Sequence, residues 1–589
     1  MNKGIVVRLL FLVLALMQLA GCGGSSAPPT PDPLSADNLN LIFVASEDLA
    51  YQASGDMNPS TANLTNQGLQ RSLLTATFLQ QKVLGMQNVT EIYALEPMTH
   101  LQTANNYPDM VALETIQQFA MLNQVTLSSD PNGGTPYTGQ SFPINASYAS
   151  GPLPIGVAPP PQFCPNCQGL DFNDEKGDNE ALLTTIVKNN PPGFYVFSAP
   201  WETVSALMAN LNQRQGYNLT LPASYVSPNF IYAISITPSG SASLITYDSH
   251  LTPPSTYPVL PPPPLVSTPC TAQTPFSITV TGGQGGAVIP AGTNTNETLY
   301  IIRHADAHPR TDWDDNNYVG AGQWRALDLP SALLGKVSAN QVYSIDPAQF
   351  GPGSLSASGD STWSSVAPAL TAEPYAIANN LPYNLVSSFQ ISDTQATSDF
   401  FFNGGTLSNQ TVLVAWAFQF IQPTIYDLLK SYNAGNQAPP SDEWPSTDYD
   451  TIWTVKLDAV GNLPVNNGIA ASHPQAMRPV MESVARLNPR VLAGGEFGTA
   501  ISRDPTREGC SSNDKASAGC NNLTLEQAFA NALTAFFAGT PYGHLYGAQN
   551  GTVPVQYLQM YQADIVYANS HPEVQTQLVE ASKRILSSH

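Results

Sequence analysis

Charge is scarce in this chain, and positive charge is scarcer still. Charged residues are 11% of the 589 positions, with 21 lysines and arginines against 43 aspartates and glutamates, a net of −22. Such a surface repels nucleic acid and has no general attraction for anionic substrates, so any phosphate site must be built from a few local arginines. Cysteines number only six. Cys164 and Cys167 stand in FCPNCQG, and no second CxxC exists to complete a four-thiolate zinc site. A local disulfide or loop staple is therefore expected there, and no metal. Cys510 and Cys520 enclose a polar loop and are expected to pair, while Cys270 is either unpaired or joined to one of the FCPNCQG pair. No apolar run after residue 22 is long enough to read as transmembrane.

The first 22 residues hold Lys3 and Arg8, an apolar core from Leu9 to Leu16, and then Leu19-Ala20-Gly21-Cys22. That core is too short to span a bilayer, and small residues before a cysteine mark a processing site. The segment 1–22 resembles a bacterial lipoprotein signal, which implies cleavage before Cys22 and a lipid on its thiol. The alternative is an ordinary signal peptide with an incidental cysteine. Gly23 rather than aspartate follows, so the resemblance implies the outer rather than the inner membrane, facing the periplasm or the cell surface. Residues 23–37 read as a flexible tether.

The length allows two to four domains, and the chain matches itself. LNLIFVASEDL (39–49) pairs with TLYIIRHADAH (298–308), and the helix-like LTNQGLQRSLLTATFLQQKVLG with VGAGQWRALDLPSALLGKV. FYVFSAPWETVSALMANLN (194–212) pairs with VLVAWAFQFIQPTIYDLLKSY (412–432), and NFIYAISITPSG (229–240) with DTIWTVKLDAVG (450–461). Four matched segments in one order argue for a repeat. Each copy reads as strand, helix, strand, helix, strand, helix, strand, the pattern of an α/β fold with a mostly parallel sheet covered by helices. Gly68 and Gly322 are placed in the turn before the first helix of each copy. The copies are expected at 38–252 and 296–467, separated by a Pro/Gly-rich linker at 253–295 that includes PPSTYPVLPPPPL, and followed by a C-terminal α/β or helical extension at 468–589.

The residues of most chemical interest are in LYIIRHADAHP (299–309), an apolar run ending in Arg303 and His304. A strand ending this way sets a nucleophilic imidazole beside a fixed guanidinium, the pairing needed to grip and attack a phosphoryl group. Together with GQWRALDLPSALLG, TAEPYAIANNLP (371–382) and TVLVAW (411–416), this stretch makes residues 298–461 resemble the histidine phosphatase superfamily, which includes the phosphoglycerate mutases. The resemblance implies two tandem three-layer αβα domains, a phosphohistidine formed on His304, Arg303 as the first phosphate clamp, and no metal or organic cofactor. It also implies a second arginine at position 367 and a second histidine just after the VLVAW strand. The chain has Ala367 and Ala417-Phe418 there. Losing those two groups could each cost ~3 kcal/mol of transition-state stabilisation, near four decades of rate together. In the first copy Ala45 and Ser46 stand at the Arg-His positions, and Pro200 falls near the second-histidine position.

Other residues are open to two readings. Asp306 is an acid or a loop cap, with Asp48 as its counterpart in the first copy, and His308 is a proton shuttle or a solvated loop histidine. Arg325 is a phosphate contact or a structural arginine, the latter favoured because Arg71 matches it in the copy without a nucleophile. Glu496 in LAGGEFG would suit acid-base work on a sugar, but no second carboxylate at a recognisable spacing supports it. Three functions follow: an anchored, slow phosphomonoester hydrolase acting through phospho-His304 on a phosphorylated small molecule; an inactive pseudophosphatase binding an envelope partner; and a carbohydrate-active protein working through the C-terminal region.

Overall fold

Runs such as LNLIFVAS and ETLYIIR are apolar or β-branched at nearly every position, the composition of strands covered on both faces. The computed structural model describes residues 30–469, apart from 52–54, 104, 123–143, 146–169, 175–176, 190, 260–274, 306–316, 319, 349–365, 438–443 and 445–447. All six cysteines, Cys22, Cys164, Cys167, Cys270, Cys510 and Cys520, lie outside the described residues, as do Glu496 and nearly all of the C-terminal extension. Among the described residues no helix is long and apolar enough to cross a membrane.

The first half runs β1 (Leu39–Ser46), α1 (Asn66–Phe78), β2 (Glu91–Ala94), the short pair β3 (Leu101–Gln102) and β4 (Tyr107–Pro108), α2 (Val111–Leu122), β5 (Ile144–Asn145), α3 (Asp178–Asn189), β6 (Gly193–Pro200), α4 (Trp201–Gln215), β7 (Phe230–Ile236) and β8 (Ala242–Asp248). The second runs β9 (Ser277–Val280), β10 (Glu297–Arg303), α5 (Gly320–Ala332), β11 (Gln341–Ile345), α6 (Ala367–Asn379), β12 (Tyr383–Val386), α7 (Thr394–Phe402), β13 (Thr411–Trp416), α8 (Phe418–Ser431), β14 (Thr451–Leu457) and β15 (Leu463–Ile469).

This is a mixed α/β fold with two large sheets, ordered β5-β2-β6-β1-β7-β8 and β12-β11-β13-β10-β14-β15-β9. In both, the first four strands are parallel and the next two antiparallel. The matched sequence segments occupy the same places in the two sheets. Each sheet has more strands than the repeat pattern alone indicates. β5 and β12 are too short to show a period, and β8 and β15 return as hairpin partners of β7 and β14. Part of the expected linker, β9, is an edge strand paired to β15.

Gly68 and Gly322 stand inside α1 and α5, not in a preceding turn. At Gly68 the constraint is close approach, since a Cβ there would collide with the Asp56 carbonyl oxygen and the Leu64 side chain.

The two sheets share one helical layer. Inner-face residues of the first sheet (Ile42, Val44, Val196) and of the second (Ile302, Leu413, Ala415) belong to one apolar cluster with residues of α1, α2, α5 and α6. α3 and α4 cover the outer face of the first sheet, and α7 and α8 that of the second. α6 is buried along Ala367–Ile377 and so lacks an amphipathic stripe. Polar ties cross the layer: Asn63 donates to the Leu381 carbonyl at 2.8 Å, Gln117 donates to Asn317 Oδ1 at 2.8 Å, and Tyr257 donates to the Leu327 carbonyl at 2.7 Å.

At its centre Glu114 of α2 meets Glu373 of α6. Both are buried, and as two carboxylates they would leave both oxygens of Glu373 without a donor. As a carboxylic acid beside a carboxylate they share one hydrogen bond. Burial raises both pKa values, and the Glu114 charge raises that of Glu373 further.

A pKa raised in the folded state contributes stability that is full below the unfolded value and is lost as pH rises through the folded one. Stability from this pair should therefore fall from about pH 5 through neutrality and beyond, by on the order of a few kcal/mol. Buried Glu297, pushed up to about 8, adds a slope of the same sign. Glu373→Gln supplies a permanent donor, so its urea midpoint should depend less on pH than that of the parent chain, with the difference largest on the alkaline side.

Candidate functional site

In sheets of this kind ligands bind beyond the carboxyl ends of the parallel strands. In the second half that position holds Arg303, the last residue of β10, and His304. The His304 backbone N–H donates to the Trp416 carbonyl at 2.9 Å, extending the β10–β13 pairing by one residue. The His304 Nδ1 lies 2.8 Å from the Ala305 carbonyl oxygen. A carbonyl only accepts, so Nδ1 carries the hydrogen, and in the neutral ring the lone pair is on Nε2. The next backbone N–H, of Ala305, donates to Thr371 Oγ1 at 2.9 Å. That hydroxyl also accepts from the Tyr318 hydroxyl at 3.0 Å and donates to the Ala367 carbonyl at 2.7 Å, so the start of α6 holds the chain just after His304.

Arg303 is buried and donates from Nη1 to the Asp448 carbonyl at 3.1 Å. Its guanidinium carbon lies 4.1 Å from the Phe418 ring centroid and 3.8 Å from that of Tyr449. Phe418 opens α8, and its ring also lies 5.9 Å from the His304 ring. The side chain standing where the resemblance implies a second histidine thus packs on the arginine and histidine that remain. Ala367 opens α6 and is buried, so that helix end brings no guanidinium.

A small cleft is lined by Arg303, Arg325, Asp328, Thr371, Tyr449 and Asp450. Arg325 pairs with Asp450 at 2.8 Å. Arg71 of α1 pairs with Asp56 at 2.7 Å, donates to Asn229 Oδ1 at 2.6 Å and to the Leu251 carbonyl at 3.0 Å. Asn229 immediately precedes β7, and Asp450 immediately precedes β14. Both arginines therefore tie the first helix of their half to the start of the antiparallel strand. Asp306 and His308 lie outside the described residues.

In the first half, Ala45 and Ser46 end β1, and Pro200 ends β6 and caps α4. A different set of groups gathers there. Asp48, His100 and Asp109 present ligand-type atoms that all lie within 4.8 Å of one another. His100 Nε2 is 2.6 Å from Asp48 Oδ2, and its ring stacks on Phe172 at 3.7 Å. Burial pulls the His100 pKa down, but the Asp48 hydrogen bond and the charges of Asp109, Asp48 and Glu202 outweigh it, so the net direction is up. Asp109, wholly buried, is pushed up to about 7 by burial, with the Asp48 charge adding and His100 opposing. Its Oδ1 accepts from Val111 N at 3.0 Å. Gln102 adjoins it and eases its charge, yet Gln102 Nε2 and Asp109 Oδ2 are both buried without a hydrogen bond of ordinary geometry. Asp48 was visible in the sequence as the counterpart of Asp306, whereas His100 and Asp109 belong to no motif and only the fold unites them.

No family model matches the chain, and no curated protein matches it. Among solved structures, one described as a phosphohistidine phosphatase SixA from Nakamurella multipartitia is a weak neighbour at 18% identity and a TM-score of 0.21, covering 31% of this chain and 99% of that one.

The contacts separate packing from charge pairing. Asp56→Ala leaves the partly buried Arg71 guanidinium without its carboxylate, though still bonded to Asn229 and the Leu251 carbonyl, and should cost ~2 kcal/mol. Phe418→Leu keeps apolar bulk, loses the ring against Arg303, and should cost only ~1 kcal/mol. Urea denaturation of the two variants measures both.

Proposed function

We propose that the chain is a histidine-phosphatase-like protein, lipid-anchored in the bacterial envelope through Cys22, that hydrolyses phosphomonoesters slowly through His304. The observation that carries this reading is the Nδ1 of His304 held on the Ala305 carbonyl beside Arg303, at the carboxyl end of a central parallel strand. In this chemistry Nε2 attacks phosphorus and the bond to the leaving alkoxide breaks. The alkoxide gains a proton, and water then cleaves the P–N bond to release phosphate. Arg303 neutralises charge on the equatorial oxygens. Slowness follows from Ala367 and Phe418 in place of cationic groups.

A second reading, a binding or scaffold lipoprotein without turnover, is favoured by the Phe418 and Tyr449 rings packed on Arg303. A panel of phosphomonoesters offered to the chain from Ser25 onward separates the two. Under the first reading, slow turnover disappears in His304→Ala and rises at least ~10-fold in Phe418→His, which returns a donor to the pocket. Equal background in parent and His304→Ala, both folded, leaves the second reading.

A further inference from the structure

We propose that Asp48, His100 and Asp109 form a binding site for a divalent first-row transition cation, with Zn2+ the preferred occupant, separate from His304. The three residues come from three different segments: Asp48 two positions past β1, His100 just before β3, and Asp109 just before α2. The fold gathers them beyond the carboxyl ends of β1 and β2, where a strand-end site belongs. Ligand atoms on a tetrahedral ion with bonds near 2.1 Å sit ~3.4 Å apart, so the observed spread of up to 4.8 Å needs side-chain rotation to close on the ion.

A second observation points to a ligand. Asp109 is fully buried, and its Oδ2 has no hydrogen bond of ordinary geometry, with the Gln102 amide beside it and its other oxygen fixed by Val111 N. A carboxylate oxygen placed so is costly unless a cation or proton meets it. His100 is oriented by stacking on Phe172, as a ligating imidazole needs to be.

The donor set defines the class of ion. One imidazole nitrogen and two carboxylate oxygens suit Zn2+ or Mn2+, whereas Ca2+ requires six to eight oxygens and Mg2+ favours oxygen and water over nitrogen. Three protein ligands leave a further coordination position for water. On binding, the His100–Asp48 hydrogen bond is exchanged for two metal bonds, and His100 Nε2 gives up any proton it holds to solvent.

The test is calorimetric titration of the chelator-treated full chain with Zn2+, and separately with Mn2+, beside His100→Ala and the near-isosteric Asp109→Asn. The proposal expects one Zn2+ per chain, weakened ~100-fold or more in each variant, with Mn2+ binding more weakly. Co2+ should give a visible ligand-field band that both variants lose. Circular dichroism melts verify that at least Asp109→Asn is folded. Absence of saturable binding, or Zn2+ affinity unchanged in a folded Asp109→Asn, overturns the site. Because His304 is intact in both variants, the outcome does not depend on phosphatase activity.

Discussion

Two carboxyl groups that share one hydrogen bond sit where the halves of this molecule meet. Glu114 and Glu373 project from helices packed between the two sheets, and the apolar cluster around them takes residues from both. A buried pair of carboxylates would repel, so this layer closes well only while the pair retains a proton. Amide ties, Gln117 to Asn317 and Asn63 to Leu381, cross the same layer between segments of the two halves. Strand-end geometry in each half is hung from those same helices, through Thr371 in α6 and Asp109 at the start of α2.

The halves use equivalent ground differently. The second keeps an arginine and a histidine at the end of its central strand but packs aromatic rings on the guanidinium. The first has alanine and serine there, and a histidine between two aspartates stands nearby. In each half an arginine on the first helix serves as a brace to the antiparallel strand, by way of Asn229 or Asp450. In a chain with a surplus of acidic residues, these guanidinium groups are thus engaged by oxygens of their own fold.

How far this was legible in the sequence follows from the range of the forces involved. β1, β10 and β13 announce themselves because a strand buried on both faces must be apolar along its length. β5 and β12 do not, since two to four residues carry no period, and β9 lies in a proline- and glycine-rich segment whose pairing partner comes nearly two hundred positions later. Position 68 reads as glycine-permissive, but the reason is a carbonyl from a neighbouring loop. Phe418 was legible as a missing histidine, whereas its packing on Arg303 is a tertiary fact. His100 has no local signal at all, being one of eight histidines in an unremarkable loop.

The proton held between Glu114 and Glu373 also makes the molecule a party to its buffer. Near neutrality, separating the helical layer lets both carboxyl groups relax to their ordinary acidity, so each opening event releases hydrogen ion to the medium. The heat absorbed on unfolding then includes the ionisation enthalpy of whatever base receives it. Two solutions at the same pH, one buffered by phosphate and one by an amine, would record different enthalpies for the same structural change.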